Sequence, residues 1–214
     1  MKVLVTGFDP FGGEKINPAY EAVKLLPAKI SGADIVTAEI PTVFGKCGAA
    51  LQALIDSHQP DIVLCIGQAG GRSGISIEKV AINLAEARIP DNEGNQPMGM
   101  PIIDGGPTAY FTNLPVKAMA QHVRGNNIPS GISYTAGTFV CNDIMYRLLH
   151  MINTKHSNIR GGFIHVPFDT AQVTQRPDGT PSMPIVTIAK GLEYAIEAAL
   201  SNSEDISGVA GTTH

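Results

Sequence analysis

The order of apolar runs along this chain predicts an α/β fold, a three-layer α/β/α sandwich around a mostly parallel, twisted central sheet. Three observations point there. Short extended apolar runs alternate with amphipathic segments at helical spacing. The run Ile62–Ile66 is continuously apolar, as a strand covered on both faces requires. Gly/Pro-rich loops separate the elements without an internal repeat or a dividing linker, and 214 residues suffice for one substantial core, so residues 1–214 read as a single domain.

Taken in order, Lys2–Thr6 is the first strand. Pro18–Leu26 follows as a helix, with Asn17 as N-cap and Pro18 at the first helical position, where its missing N–H costs nothing. Asp34–Ile40 is the next strand, Lys46–Ser57 a helix and Ile62–Ile66 a central parallel strand. Ile75–Leu84 reads as one further strand after a Gly-rich loop, and Ala87–Ala109 as a long Pro/Gly/Asn-rich excursion. A helix near Pro115–Arg124 and a strand near Ile132–Thr135 come next. From Val140 to about Asn153, Ile144, Leu148, Met151 and Ile152 recur at helical spacing. Gly162–Val166 is the last strand, and after a loop to about Ser182 a final helix runs to about Leu200. Sheets of this kind place ligands at the carboxyl ends of their strands.

Composition narrows the function. A net charge of −4 with 16% charged residues offers no basic footprint for nucleic acid or an anionic membrane. No apolar run approaches the roughly 18 residues of a membrane span, and the N-terminus enters a strand pattern at once, so a cytoplasmic location is expected. The three cysteines, Cys47, Cys65 and Cys141, show no CxxC or His-rich spacing; neither a disulfide framework nor a metal site is expected.

Gly-rich loops sit at the expected carboxyl ends. Thr6–Gly13 follows the first strand, but it lacks GxGxxG spacing and carries Pro10, Phe8 and Phe11 where backbone has to approach a pyrophosphate; nucleotide binding is disfavoured. Gly67–Gly74 could cradle an anion with its backbone N–H groups and Arg72, as in phosphorylases of similar architecture. The aromatic pair Phe8 and Phe11 instead suits a flat, mostly neutral group held by ring faces.

Cys141 opens the amphipathic segment that starts at Val140, in a first turn where unpaired N–H groups and the positive dipole end favour a thiolate and can lower its pKa from about 8.5 towards neutrality. A buried structural cysteine is the bland alternative. A nucleophile needs a base and a group to orient it. Of six histidines, His58, His122, His150, His156 and His214 have ordinary positions on helices, a turn or the terminus. His165 ends the apolar run Gly161–Ile164 at the mouth of the sheet, one crossover beyond Cys141. Glu78 interrupts the strand pattern Ile75–Ile82, either as an outward-facing glutamate or as the orienting carboxylate.

Five pieces in order, Phe8–Gly13, Gly67–Arg72, Val80–Leu84 with Ala87–Asn92, Ser133–Asn142 and Gly161–Pro167, closely resemble the pyroglutamyl-peptidase I family, also called pyrrolidone-carboxylate peptidase. The resemblance is collinear from Val3 to about Val166. It implies a cysteine exopeptidase, intracellular and often homotetrameric, that removes N-terminal pyroglutamyl residues from peptides without metal or cofactor. Carried over by position, it makes Cys141 the nucleophile, His165 the general base and acid, and Glu78 the orienting group. It also places Arg88 with the backbone N–H of Cys141 at the oxyanion, sets Phe11 and Phe139 around the lactam ring, and has Gln68 and Asn17 shape the pocket with Phe8 behind it. Two other readings stay open: a phosphorylase-type transferase using Gly67–Gly74 for phosphate, and a non-catalytic binding protein that keeps the aromatic pocket.

Overall fold

A computed structural model describes residues 1–208. Its elements are strands β1 (Lys2–Phe8), β2 (Lys29–Ile30), β3 (Ala33–Ile40), β4 (Ile62–Gln68), β5 (Ile75–Glu78), β6 (Val80–Ile82), β7 (Ala109–Phe111), β8 (Ser130–Ser133) and β9 (Arg160–Val166), with helices α1 (Pro18–Val23), α2 (Lys46–His58), α3 (Val116–Gly125), α4 (Val140–Thr154) and α5 (Ile185–Ser201). The central sheet has seven strands in the order β2-β3-β1-β4-β9-β5-β8. Strands β3, β1, β4 and β9 run parallel, β5 and β8 run against them, and β2 is antiparallel to β3.

Alternation within the strands feeds two cores. Val3 and Val5 of β1, Ile62, Leu64 and Ile66 of β4, and Ile164 and Val166 of β9 pack with α1, α3 and α5. Leu4, Val63, Cys65 and Phe163 face the other way, toward α2 and α4. Each such strand buries both faces, at roughly 1.5–3 kcal/mol per large apolar side chain; this is why β4 reads as an unbroken apolar run. The layers are helix, sheet, helix, as the fold class predicts.

Several boundaries differ from the sequence expectation, each for a local reason. α1 stops at Val23 rather than Leu26, because Pro27 disfavours helical geometry in the residue before it; Leu25 and Leu26 close the turn with bonds to Ala22 and Val23. The expected strand Ile75–Leu84 is two strands. Its first half stays in the main sheet, and Val80–Ile82 leaves it to form a two-stranded sheet with β7. Lys79 is the swivel: its N–H donates to Ser133 O at 2.8 Å on one side, and its carbonyl accepts from Thr112 N at 3.1 Å on the other. β8 begins at Ser130, two residues ahead of the expected start, paired in register with β5. The excursion after Ala87 is tied down by Asn83, whose Oδ1 accepts from Ile102 and Ile103 N and whose Nδ2 donates to Ile103 and Gly106 carbonyls.

Candidate active site

The carboxyl ends of β1, β4 and β9 lie side by side, and the reversed strand β5 enters the sheet next to them. His165 sits near the end of β9 in register with Gly67 of β4 on one side and Ser76 of β5 on the other. Glu78 is two residues beyond Ser76, so its side chain emerges on the same face of the sheet as the imidazole. The result is a bond between His165 Nδ1 and Glu78 Oε1 of 2.7 Å. Because the acceptor is a carboxylate, Nδ1 carries the proton and Nε2 is left as the basic nitrogen of the neutral ring.

The couple is closed off from water: side-chain exposure is 0% at Glu78 and 5% at His165. Glu78 Oε1 also accepts from Arg72 Nη1 at 2.7 Å. Burial works to raise the Glu78 carboxyl, but the His165 bond and charge, the neighbouring Ser133 hydroxyl and Arg72 outweigh it and hold the group below its usual value. Among the described residues Glu78 Oε2 makes no hydrogen bond, and the Ser133 hydroxyl donates to Thr135 O at 3.0 Å. For His165, burial is the largest influence and lowers the pKa, Glu78 works against it, and the net shift is downward. The resting imidazole is therefore neutral near pH 7.

Cys141 stands in the first turn of α4, behind Phe139 as N-cap. Asn142 pins that turn to β6: its Oδ1 accepts from Ile82 N, and its Nδ2 donates to the carbonyls of Ile82 and Leu84. The thiol then lies over Gly67, the lateral neighbour of His165. A Cβ at Gly67 would come within 2.9 Å of Cys141 Sγ and 2.6 Å of Phe163 Cζ, and the Phe163 ring is edge-on to His165 at 4.8 Å. Glycine at this point leaves room for sulfur over the strand that borders His165. The thiol pKa corrects the sequence expectation. Burial first and the Glu78 charge second push it up to about 12, against Arg72 and a backbone N–H that lower it; the helix terminus does not win. Thiol and imidazole are thus both neutral at rest.

Phe11 and Phe139 face one another with centroids 6.2 Å apart and planes tilted by 39°, and Phe44 stands edge-on to Phe139 at 5.3 Å. The Phe44 backbone is held by Asp91, whose carboxylate also accepts from Glu93 and Asn95. A flat ring between two aromatic faces needs roughly 7 Å, two contacts of about 3.5 Å each. The pair has to part by about 1 Å to admit one.

Other expected residues sit differently. Phe8 is buried in the core, 6.4 Å from Phe163, and so offers no ring face beside Phe11. Asn17 is likewise buried; its Oδ1 caps α1 through Ala19 N and its Nδ2 donates to Asp9 O, which fixes the Phe11 loop instead of leaving the amide for a ligand. Arg88 is exposed, and its guanidinium makes no hydrogen bond or ion pair among the described residues; Gln96 holds its carbonyl at 3.2 Å. Arg72, read from sequence as a possible phosphate clamp, is committed to Glu78 and to Thr135 O. That takes away the cation on which the transferase reading drew. Asn142 and Gln172, which bonds Gln68 at 3.0 Å, were not singled out from sequence; polar side chains acting on other residues leave no periodic signal. His58, His122, His150 and His156 lie apart from this cluster, and His214 falls outside the described residues. Among the described residues no group of three His, Cys, Asp or Glu is arranged to hold a metal ion, and no helix is long and apolar enough to cross a membrane.

Comparison with known proteins supplies the family. The model of the pyroglutamyl peptidase family matches residues 1–202. A pyrrolidone-carboxylate peptidase of Enterococcus faecalis is 61% identical over 214 residues, covering 100% of both chains, and one of Clostridium perfringens is 56% identical over 211 residues, covering 99% of each. Among solved structures, pyroglutamyl peptidase I of Bacillus amyloliquefaciens superposes with a TM-score of 0.94 at 52% identity, over 97% of this chain and 99% of its own. A mutant pyrrolidone carboxyl peptidase of Pyrococcus furiosus gives 0.90 at 44% identity, over 94% and 99%. A family match over nearly the whole chain, with end-to-end relatives above half identical, shows that this chain belongs to the pyroglutamyl peptidase family of cysteine-type peptidases.

Proposed function

We propose that the chain removes N-terminal pyroglutamyl residues from peptides through a thioester on Cys141, with His165 and Glu78 completing a catalytic triad. The observation that carries this is the buried Glu78–His165 bond of 2.7 Å, set one strand away from the glycine over which Cys141 Sγ lies. In the first step the thiol proton passes to His165 Nε2 as sulfur attacks the pyroglutamyl carbonyl. The backbone N–H of Cys141, with Arg88, meets the oxyanion; one such donor is worth roughly 3 kcal/mol. The imidazolium then protonates the departing amine, and the shortened peptide leaves. Water gives a proton to the same imidazole and attacks the thioester, releasing pyroglutamate and returning the proton to sulfur. Glu78 holds the ring in its Nδ1–H form and stabilises the imidazolium in a site shielded from solvent. No step in this scheme calls for a cofactor.

A pyroglutamyl group has no free α-amine, so recognition falls to ring faces and a few hydrogen bonds. Phe11 and Phe139 supply the faces, and Gln68 supplies an amide. Asn17 and Phe8 act from behind, through the loop and the core. The chain works as one domain, in the cytoplasm, as a homotetramer.

The test is cleavage of pyroglutamyl-naphthylamide with and without iodoacetamide, beside prolyl and glutaminyl naphthylamides. Cleavage of the first alone, abolished by the alkylating agent, is expected. Turnover indifferent to thiol alkylation, or equal kcat/KM for all three amides, would overturn the proposal.

A further inference from the structure

Beside the site, four polar side chains form a chain whose hydrogen-bond directions are all determined. The backbone N–H of Asp169 donates to Gln172 Oε1 at 2.9 Å. A backbone N–H can only donate, so the oxygen of the Gln172 amide faces it, and the NH2 group is the end that points onward. That NH2 reaches Gln68 Oε1 at 3.0 Å and the carboxylate of Glu14 at 3.4 Å. A carboxylate can only accept, which fixes the same orientation a second time. Glu14 is itself held by Arg176, which stacks on Phe168 at 4.2 Å. Gln68 therefore has its oxygen engaged, and its Nε2 makes no hydrogen bond among the described residues. The residue sits at the carboxyl end of β4, next to the glycine beneath Cys141 Sγ.

We propose that Gln172 is a positioning residue for substrate recognition: it locks the Gln68 amide with its NH2 group toward the pocket, so that Gln68 donates to the lactam carbonyl of a pyroglutamyl group. This rests on the reading of Gln68 as a pocket residue. An unrestrained glutamine amide presents oxygen or nitrogen with similar ease; the lock makes the pocket a donor. A donor selects the lactam, which has a ring carbonyl, over proline, which has none, and a site built around one hydrogen bond rejects the analogue lacking it. The lock also ties the loop carrying Phe11 and Glu14 to the segment Asp169–Arg176 beside the Gln68 amide.

The experiment compares steady-state kinetics on pyroglutamyl-naphthylamide for Gln68→Met, Gln172→Met and Gln172→Glu. Gln68→Met removes the donor and is expected to raise KM about tenfold with little change in kcat. Gln172→Glu keeps an acceptor for Asp169 N–H and so preserves the local cap, but it offers Gln68 only oxygen. The Gln68 amide then turns its NH2 to the carboxylate and its oxygen to the lactam. KM should rise more in Gln172→Glu than in Gln172→Met, in the native background and with Glu14→Gln, which takes away the neighbouring carboxylate. A residue that merely caps the turn predicts the opposite order, because Met loses the cap and Glu keeps it. In a Gln68→Met background neither Gln172 change should raise KM further. Isotope-edited infrared of carbonyl-labelled 2-pyrrolidone should show a hydrogen-bond red shift with the native enzyme that Gln172→Glu abolishes. If Gln68→Met raises KM while both Gln172 variants behave as native, the lock is refuted and the pocket role of Gln68 survives. If Gln68→Met leaves KM unchanged, the pocket role fails and the lock with it. Equal Gln172 effects with and without Gln68 would also overturn the proposal.

Discussion

Gly67→Ala is the sharpest single perturbation of the site, because it adds one methyl group and no new chemistry. Its Cβ would stand 2.9 Å from Cys141 Sγ and 2.6 Å from Phe163 Cζ. Ordinary contact is about 3.5–4.0 Å, so sulfur has to retreat by about 0.6–1.1 Å and the phenyl ring by about 0.9–1.4 Å. Asn142 restrains the first turn of α4 through three hydrogen bonds, and the Phe163 ring abuts His165, so neither neighbour moves freely. Overpacking of this kind costs roughly 1–3 kcal/mol. At about 2–4 °C per kcal/mol for a chain of this size, Tm should fall by about 2–12 °C. Catalysis suffers more, since a misplacement of about 1 Å between reacting groups can cost about a hundredfold. The assay is kcat/KM on pyroglutamyl-naphthylamide below the variant's own Tm, with thermal unfolding measured in parallel. A well-folded Gly67→Ala enzyme with kcat/KM within threefold of native would refute the placement of the thiol over Gly67.

Three further outcomes are expected. Cys141→Ser and Cys141→Ala should abolish turnover with a cooperative unfolding transition retained, whereas Cys47→Ser and Cys65→Ser should keep the chemistry; loss of turnover in either of the latter pair, with the fold intact, would point to a different nucleophile. His165→Ala should be more severe than Glu78→Gln, and Cys141→Ala/His165→Ala should be about as slow as its worse single parent, because groups that act as a unit are not additive; a strictly multiplicative loss would contradict the shared role. In pH profiles, burial depresses the His165 pKa below its ordinary 6.5 and the net shift at Glu78 is below 4.5. Both groups therefore contribute stability that is present above those ordinary values and lost as pH falls through the lower folded ones. The imidazole accepts the thiol proton only when neutral, so the acid limb of kcat/KM should have its midpoint below pH 6.5; a midpoint above it would mean that the Glu78 charge outweighs burial.

Much of this was legible in the residues. Ile62–Ile66 had to be a strand buried on both sides, and Cys141 and His165 had to fall at element termini on neighbouring elements, because apolar periodicity marks both the elements and their ends. What was missed has a common physical cause: it depends on direction or on contact across the sheet. The swivel at Lys79 leaves only a faint mark in Ile75–Leu84: across the adjacent polar pair Glu78-Lys79 the apolar phase shifts from Ile75 and Ile77 to Val80, Ile82 and Leu84, without a Gly or Pro to flag the break. That β5 runs against β9 follows from the loop before it, not from its own residues, yet this reversal is what carries Glu78 to the imidazole. The thiol pKa was misread for a related reason. The helix terminus is visible in a pattern, whereas the burial over Gly67 and the Glu78 charge that outweigh it come from residues distant in sequence. Arg72 was visible as a cation in a Gly-rich loop, but its partner only the fold reveals.

The central claim is a covalent pyroglutamyl intermediate on one sulfur. Rapid acid quench during turnover of a pyroglutamyl ester, followed by proteolysis and mass spectrometry, reads it directly. A pyroglutamyl adduct confined to the peptide containing Cys141, accumulating in the burst phase and absent from Cys141→Ala, is the predicted result. Undiminished turnover with no adduct at Cys141, or with the adduct on Cys47 or Cys65, would contradict it.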